Sequence, residues 1–225
     1  MPFKIKDEIF EVPTYSPAVA ARYVGVPYQT LRYWTLGRGS VAPIIQPADE
    51  APLCLSFANL LECHVLNALR IKYRLRLPRV RSALRTLKQI SNSRHPLLSS
   101  RFRTDGVDLF IDERALVNVS RGGQYALRQV VDLFLERIEW QARGVAKKFY
   151  PFVAKKGPDE PKIISITPTI AFGRSVIDGT GISTAVIASR FWAREEPLAL
   201  ASEYGRTEEE ILEAIRWEGD YQRAA

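Results

Sequence analysis

The stretch from Ser16 to Trp34 constrains the fold more than any other part of the chain. Ser16 is suited to cap a helix, and Pro17 falls at its first turn, where a missing N–H costs nothing. Val19, Ala20 and Tyr23 then make a short apolar face. Gly25 permits a sharp turn between two helices. Pro27 suits the start of a second helix, in which Leu31 and Trp34 recur at i, i+3 and face inward. Gln29, Thr30, Arg32 and Tyr33 are left pointing outward. The reading is a helix-turn-helix, because a short helix that exposes hydrogen-bonding side chains and arginine beside a packed partner is suited to a DNA major groove.

The pattern changes after Trp34. Gly37-Arg38-Gly39-Ser40 leads to two short apolar segments, Val41 to Ile45 and Leu53 to Phe57, separated by a proline-marked polar turn. They predict a hairpin that would serve as the wing behind the second helix. Ser56 is placed to cap a third helix, whose apolar positions run from Phe57 to about Tyr73. Pro78 opens a fourth, with Val80, Ala83, Leu84 and Leu87 as its buried stripe. Arg81, Arg85 and Lys88 share another face of that helix. With Arg70, Lys72, Arg74, Arg76 and Arg79 they form the densest basic cluster of the chain, suited to phosphate contact.

Further on, Arg101 to Asp112 reads as a hairpin turning at Thr104-Asp105-Gly106. Gln124 to Trp140 reads as a long amphipathic helix, and Lys155 to Pro161 as a linker. The tail opens with a strand, Ile163 to Ile166. Turn-prone residues on both sides of Val176-Ile177 predict a tight hairpin there. Helices are then expected from Thr184 to Ala193, from Pro197 to Gly205, and from Thr207, where Thr207 and Glu210 fit a capping box.

Charge follows this division. Residues 1–100 carry 14 Lys and Arg against 6 Asp and Glu, a net +8, residues 101–158 carry +4, and residues 159–225 carry −5. A basic front and an acidic tail suggest nucleic-acid binding at one end and another task at the other. Cys54, Cys63, His64 and His95 are too scattered for a zinc module, so buried structural roles are expected and no metal or cofactor. No glycine-rich phosphate loop follows a strand, no Cys/His pair has catalytic spacing, and Asp178-Gly179-Thr180-Gly181 only superficially resembles the Asp-Thr-Gly of aspartic proteases. A non-enzymatic protein is the expectation. No apolar run is long enough to span a bilayer and the start lacks a signal-peptide pattern, so a cytoplasmic protein without membrane contact is expected.

Residues 16–90 resemble the winged helix-turn-helix of MerR-type regulators. The resemblance rests on Ala20-Ala21, Gly25-Val26-Pro27, Thr30-Leu31-Arg32-Tyr33-Trp34 and Leu55-Ser56-Phe57. It implies backbone contacts from Arg32 and Tyr33, and places Tyr28, Gln29 and Thr30 nearest the bases. Arg38, Arg79 and Arg81 complete the candidate DNA-binding set. The long dimerising coiled coil and sensor cysteines common in that family do not appear.

Residues 163–218 resemble a second family, a small domain of unknown function common in antitoxins. Its marks are Ile166-Thr167-Pro168, Phe172 to Ile182, Glu203-Tyr204-Gly205 and Glu209 to Ile215, with Ser175 where proline is usual. The combination is similar to a VapB-type antitoxin. That resemblance implies binding to double-stranded DNA of its own promoter, and a PIN-like ribonuclease toxin as partner in a homodimer or higher hetero-oligomer. Neutralisation would occlude the toxin's acidic metal-binding cleft, with Arg174 and Arg206 both conceivable and the toxin-binding residues otherwise unassigned within 159–225. The expected fold is mainly α within an α+β class. Its parts are a DNA-binding domain over 1–95, a connecting or dimerising segment over 96–158, and an antitoxin-type domain over 159–225. The alternative is a stand-alone MerR-like regulator with a dimerising or ligand-sensing tail.

Overall fold

A computed structural model describes residues 8–71, 77–99, 102, 131–141, 144–153 and 160–222. The class is mixed α+β, with helices dominating and two small antiparallel sheets. The chain falls into two units, divided between Ala146 and Lys147.

In the first unit, α1 (Pro17–Val24) starts at Ser16, whose hydroxyl accepts from the Val19 N–H at 3.4 Å. It ends at Gly25, left-handed at φ 74°, ψ 37°. The Gly25 and Val26 amides return to the carbonyls of Arg22 and Ala21 at 3.0 and 2.9 Å, the paired bonds of a Schellman turn. Three residues after α1 the chain enters α2 (Tyr28–Leu36), which buries Leu31 and Trp34 and leaves Gln29 and Arg32 exposed.

Both helices lean on α3 (Phe57–Ile71). Every side chain of α3 from Phe57 to Leu69 is buried, as in a helix surrounded by protein. Its start is a reciprocal cap: Ser56 Oγ accepts from the Asn59 N–H at 3.2 Å and Asn59 Oδ1 from the Ser56 N–H at 3.1 Å. Two asparagine side chains tie neighbours to it, Asn67 donating to Val24 O at 3.1 Å and Asn59 to Gln46 O at 2.8 Å. On α4 (Leu77–Ser91), the expected stripe of Val80, Ala83, Leu84 and Leu87 is buried.

The predicted wing differs from the hairpin observed. Val41 to Ile45 is not a strand; the ladder is β1 (Asp49–Glu50) against β2 (Leu53–Cys54). Pro43 and Pro47 cannot donate to a ladder. The amides of Ile44 and Ile45 instead bond the Trp34 carbonyl at 2.7 and 3.0 Å, folding the segment back on α2.

The long helix predicted to Trp140 is also corrected. Residues 131–135 are helical, but Ile138–Trp140 is a strand, β3. The helical spacing continues through Ile138, yet Arg137 and Ile138 are both buried, and packing of that pair overrides the period. The first part of that prediction, the 101–112 hairpin and most of the predicted linker lie outside the described residues.

From the boundary onward, β4 (Ala146–Phe149), β5 (Ile164–Ile166) and β6 (Ser175–Ile177) are antiparallel neighbours in that order. Ile164 pairs with Ile177, Ser165 with Val176, and Ile166 with Ser175. Val176-Ile177 therefore pairs with β5 across residues 167–174, and the predicted tight hairpin is reduced to the single bridge Val176–Ser183. The connection contains a left-handed turn, with φ 49° at Ala171, 55° at Phe172 and 75° at Gly173. Left-handed backbone costs about 1–2 kcal/mol for a residue with a Cβ, and two such residues precede the glycine.

Three helices follow: α5 (Thr184–Trp192), α6 (Pro197–Tyr204) and α7 (Glu208–Gln222). Gly205 ends α6 in a second Schellman turn, and Thr207 with Glu210 forms the expected capping box at 2.9 and 3.2 Å. Ile187, Ala188, Ile211, Ala214 and Trp217 are buried where α5 and α7 meet. A buried polar chain crosses this core: Thr184 donates to Glu218 at 2.5 Å and lies 2.8 Å from the Ser175 hydroxyl. Ser175 thus has a structural partner in Thr184.

Candidate nucleic-acid interface

The outward face of α2 is built by its inward one. Burying Leu31 and Trp34 turns Tyr28, Gln29 and Arg32 to solvent, while Thr30 and Tyr33 are half-buried. Arg32 reaches back along the helix, its guanidinium carbon 5.8 Å from the centre of the Tyr28 ring. A concavity of about 660 Å³ is lined by Gln29, Arg32, Tyr33, Leu36, Gly37 and Arg38. Arg38 is exposed at a tight turn in which the Arg38 and Val41 amides and carbonyls exchange bonds at 3.0 Å.

Arg81 joins this surface from α4. Its guanidinium lies 5.3 Å over the Tyr33 ring, and its Nε–H donates to Ala42 O at 3.1 Å. One side chain therefore fastens α4, α2 and the segment after α2, and keeps a cation beside Tyr33. Nothing in the spacing of residues 33, 42 and 81 announces this contact. Of the eight predicted DNA-binding residues, Gln29, Arg32, Tyr33 and Arg38 line one concavity, Tyr28 stacks with Arg32, and Arg81 stacks with Tyr33. Thr30 sits among them in sequence but does not line the concavity, and the Arg79 side chain lies outside the described residues.

A second concavity of about 650 Å³ is bordered by Arg81, Arg85, Lys88 and Arg94 on one hand and by Glu50 and Glu62 on the other. Behind it lies an arrangement that sequence reasoning missed. His95 Nδ1 is 2.8 Å from Glu62 and its Nε2 is 2.9 Å from Glu11. Burial alone would lower the His95 pKa, but the hydrogen bonds and charges of Glu62 and Glu11 outweigh it and raise it. His64, fully enclosed on α3, behaves oppositely: burial pulls its pKa down to about 3, although its Nε2 is 3.0 Å from Phe134 O. The buried roles expected of Cys63, His64 and His95 hold, whereas Cys54 is half-buried. Glu11 and His95 stand 84 positions apart, and no local pattern could have joined them.

Chemically, the surface offers the Gln29 amide, the Tyr33 ring and hydroxyl, and the guanidinium groups of Arg32 and Arg38. Amide and hydroxyl groups can exchange hydrogen bonds with polar edges, and guanidinium groups can pair with anions.

Residues 164–217 match a family described as a protein of unknown function, DUF433. Over 233 aligned positions the chain is 27% identical to a candidate antitoxin of Mycobacterium tuberculosis named VapB45, covering 92% of this chain and 94% of that protein. The crystal structure of Rv2018 from Mycobacterium tuberculosis superposes with a TM-score of 0.70 at 26% identity, covering 92% of this chain and 99% of that one. The chain is thus similar, across nearly its whole length, to a protein named as an antitoxin, and it shares its fold with Rv2018.

Proposed function

We propose that this protein is the antitoxin of a type II toxin–antitoxin pair. It binds its own promoter through a winged helix-turn-helix of the MerR kind and neutralises a PIN-like ribonuclease through its second unit. The observation that carries this reading is the similarity to VapB45, which spans 92% of this chain and includes both units. The exposed face supports its DNA-binding half: Tyr28, Gln29 and Thr30 of α2 would be the base-side groups, and Arg32 and Tyr33 of α2, with Arg38 after it and Arg81 from α4, would be the phosphate-side groups. A dimer would set two copies of α2 about 34 Å apart, one helical turn of DNA.

The test is growth of cells expressing the adjacent reading frame, with and without the full chain, together with retardation of the DNA upstream of the pair. Rescue of growth and a sequence-specific complex are expected. DNA binding without rescue would overturn the antitoxin half and favour a stand-alone regulator.

A further inference from the structure

We infer that the second concavity, the one walled by α4, holds a small nucleotide whose base carries an amine, and that filling it weakens DNA binding. The binding site stands on its own geometry; only the effect on DNA rests on the DNA-binding reading above.

Arg81, Leu84, Arg85 and Lys88 follow one another at intervals of one turn or less along α4 and line the same concavity. Like charges one turn apart cost a helix stability. Among the described residues neither Arg85 nor Lys88 has a carboxylate partner, and both are exposed. Arg85 spends its Nε–H on the Arg81 carbonyl at 3.4 Å. Arg81 carries an unanswered donor: its Nη2 is buried and has no hydrogen-bond partner among the described residues. A buried donor without an acceptor is costly, and native folds keep few of them.

The other charges of the cleft are partly spent. Glu62 is taken by His95 Nδ1 at 2.8 Å, and Arg94 by Glu11 at 3.4 Å. What stays open among the described residues is the cationic face of α4 and the exposed carboxylate of Glu50 on β1. Much of the remaining lining is apolar, with Val41, Pro43, Ile44, Leu84 and Pro96.

An occupant that answers all of these groups brings anionic oxygens for α4, an apolar body for the walls and a donor for Glu50. A nucleoside diphosphate with an amino group on its base has all three. The volume, about 650 Å³, lies in the range of small-molecule sites. The DNA backbone fits less well, because it brings charge without an apolar body and Glu50 repels it.

Arg81 connects the cleft to the surface proposed for DNA. Its guanidinium lies 5.3 Å over the Tyr33 ring, and its Nε–H is held by Ala42 O at 3.1 Å. A phosphate in the cleft offers Nη2 the acceptor it lacks and competes with both contacts. It also neutralises a cation on which the DNA interface draws. The two effects have the same sign, weaker DNA binding when the cleft is full.

The test titrates the full-length protein with ADP by calorimetry. Inorganic pyrophosphate and UDP serve as probes without the base and without the amine respectively. ADP is expected to bind at least about tenfold more tightly than either. Arg85→Glu and Lys88→Glu should each weaken ADP binding at least about tenfold, at an unchanged or higher melting temperature because each relieves like-charge repulsion. Saturating ADP should weaken the complex with promoter DNA at least about fivefold. Pyrophosphate or UDP binding as tightly as ADP would overturn the inference and leave a basic patch suited to the DNA backbone. No ADP binding by protein that still retards promoter DNA would overturn it while the DNA-binding reading stands. ADP binding with unchanged DNA affinity would overturn the regulatory step. ADP binding by protein that retards no DNA would keep the site and overturn the DNA-binding reading instead.

Discussion

Gly37 shows how much a single position can decide. It ends α2 at φ 74°, ψ −159°, a region closed to residues with a Cβ. A Cβ placed there would lie 2.0 Å from the Val41 carbonyl oxygen, so space forbids it as well. Gly37→Ala is expected to destabilise the first unit by about 2–4 kcal/mol, read by denaturant titration. Loss of DNA affinity should accompany it, since the turn carries Arg38 and the segment that Arg81 fastens. A stability within about 0.5 kcal/mol of the parent would mean that the turn rearranges freely. Gly39 also has a positive φ of 57° but open space around it, so Gly39→Ala isolates the backbone cost from the clash.

At the scale of elements, the proposed DNA interface gives the residues of α2 two different tasks. Arg32→Ala should weaken DNA binding to all sequences alike and flatten the salt dependence by about one unit. Gln29→Ala should change base preference, at about 1–3 kcal/mol per lost contact. Both are read by affinity measurements on specific and scrambled duplexes across a salt series. Unchanged salt dependence in Arg32→Ala would remove that side chain from the interface. The helices on either side of these residues were legible because their signals are local: Ser16 with Pro17, Gly25, Ser56, Pro197, Gly205, and Thr207 with Glu210 each act within a turn. The hairpin after α2 was misread because its fate lies with the Trp34 carbonyl and two prolines, and β3 because burial of Arg137 and Ile138 is a tertiary event. The candidate site was half legible: α2 could be read face by face, while the Arg81–Tyr33 stack could not.

For the whole molecule, the two histidines set opposite limits on stability. The folded His64 pKa is lowered to about 3, so as pH falls below about 6.5 the unfolded chain takes up a proton that the folded one refuses, and stability drops. The folded His95 pKa is raised, so its contribution is complete below about 6.5 and is lost as pH rises through the folded value. Melting temperature is therefore expected to peak near pH 6.5, measured calorimetrically between pH 5 and 9. His95→Gln should flatten the alkaline limb and leave the acid limb in place. An alkaline limb that persists in His95→Gln would show that the Glu11–His95–Glu62 bridge contributes nothing to folding.

The amide of Asn67 donates to the last carbonyl of α1, a helix that ends 43 positions earlier in the chain. That bond limits how this protein can be cut and recombined. A chimera that transplants residues 16–48 into another scaffold leaves the Val24 carbonyl buried and unanswered. Exchange of the α1–α2 pair between relatives should therefore succeed only when α3 travels with it, and its smallest transferable module runs from Ser16 to the end of that buried helix.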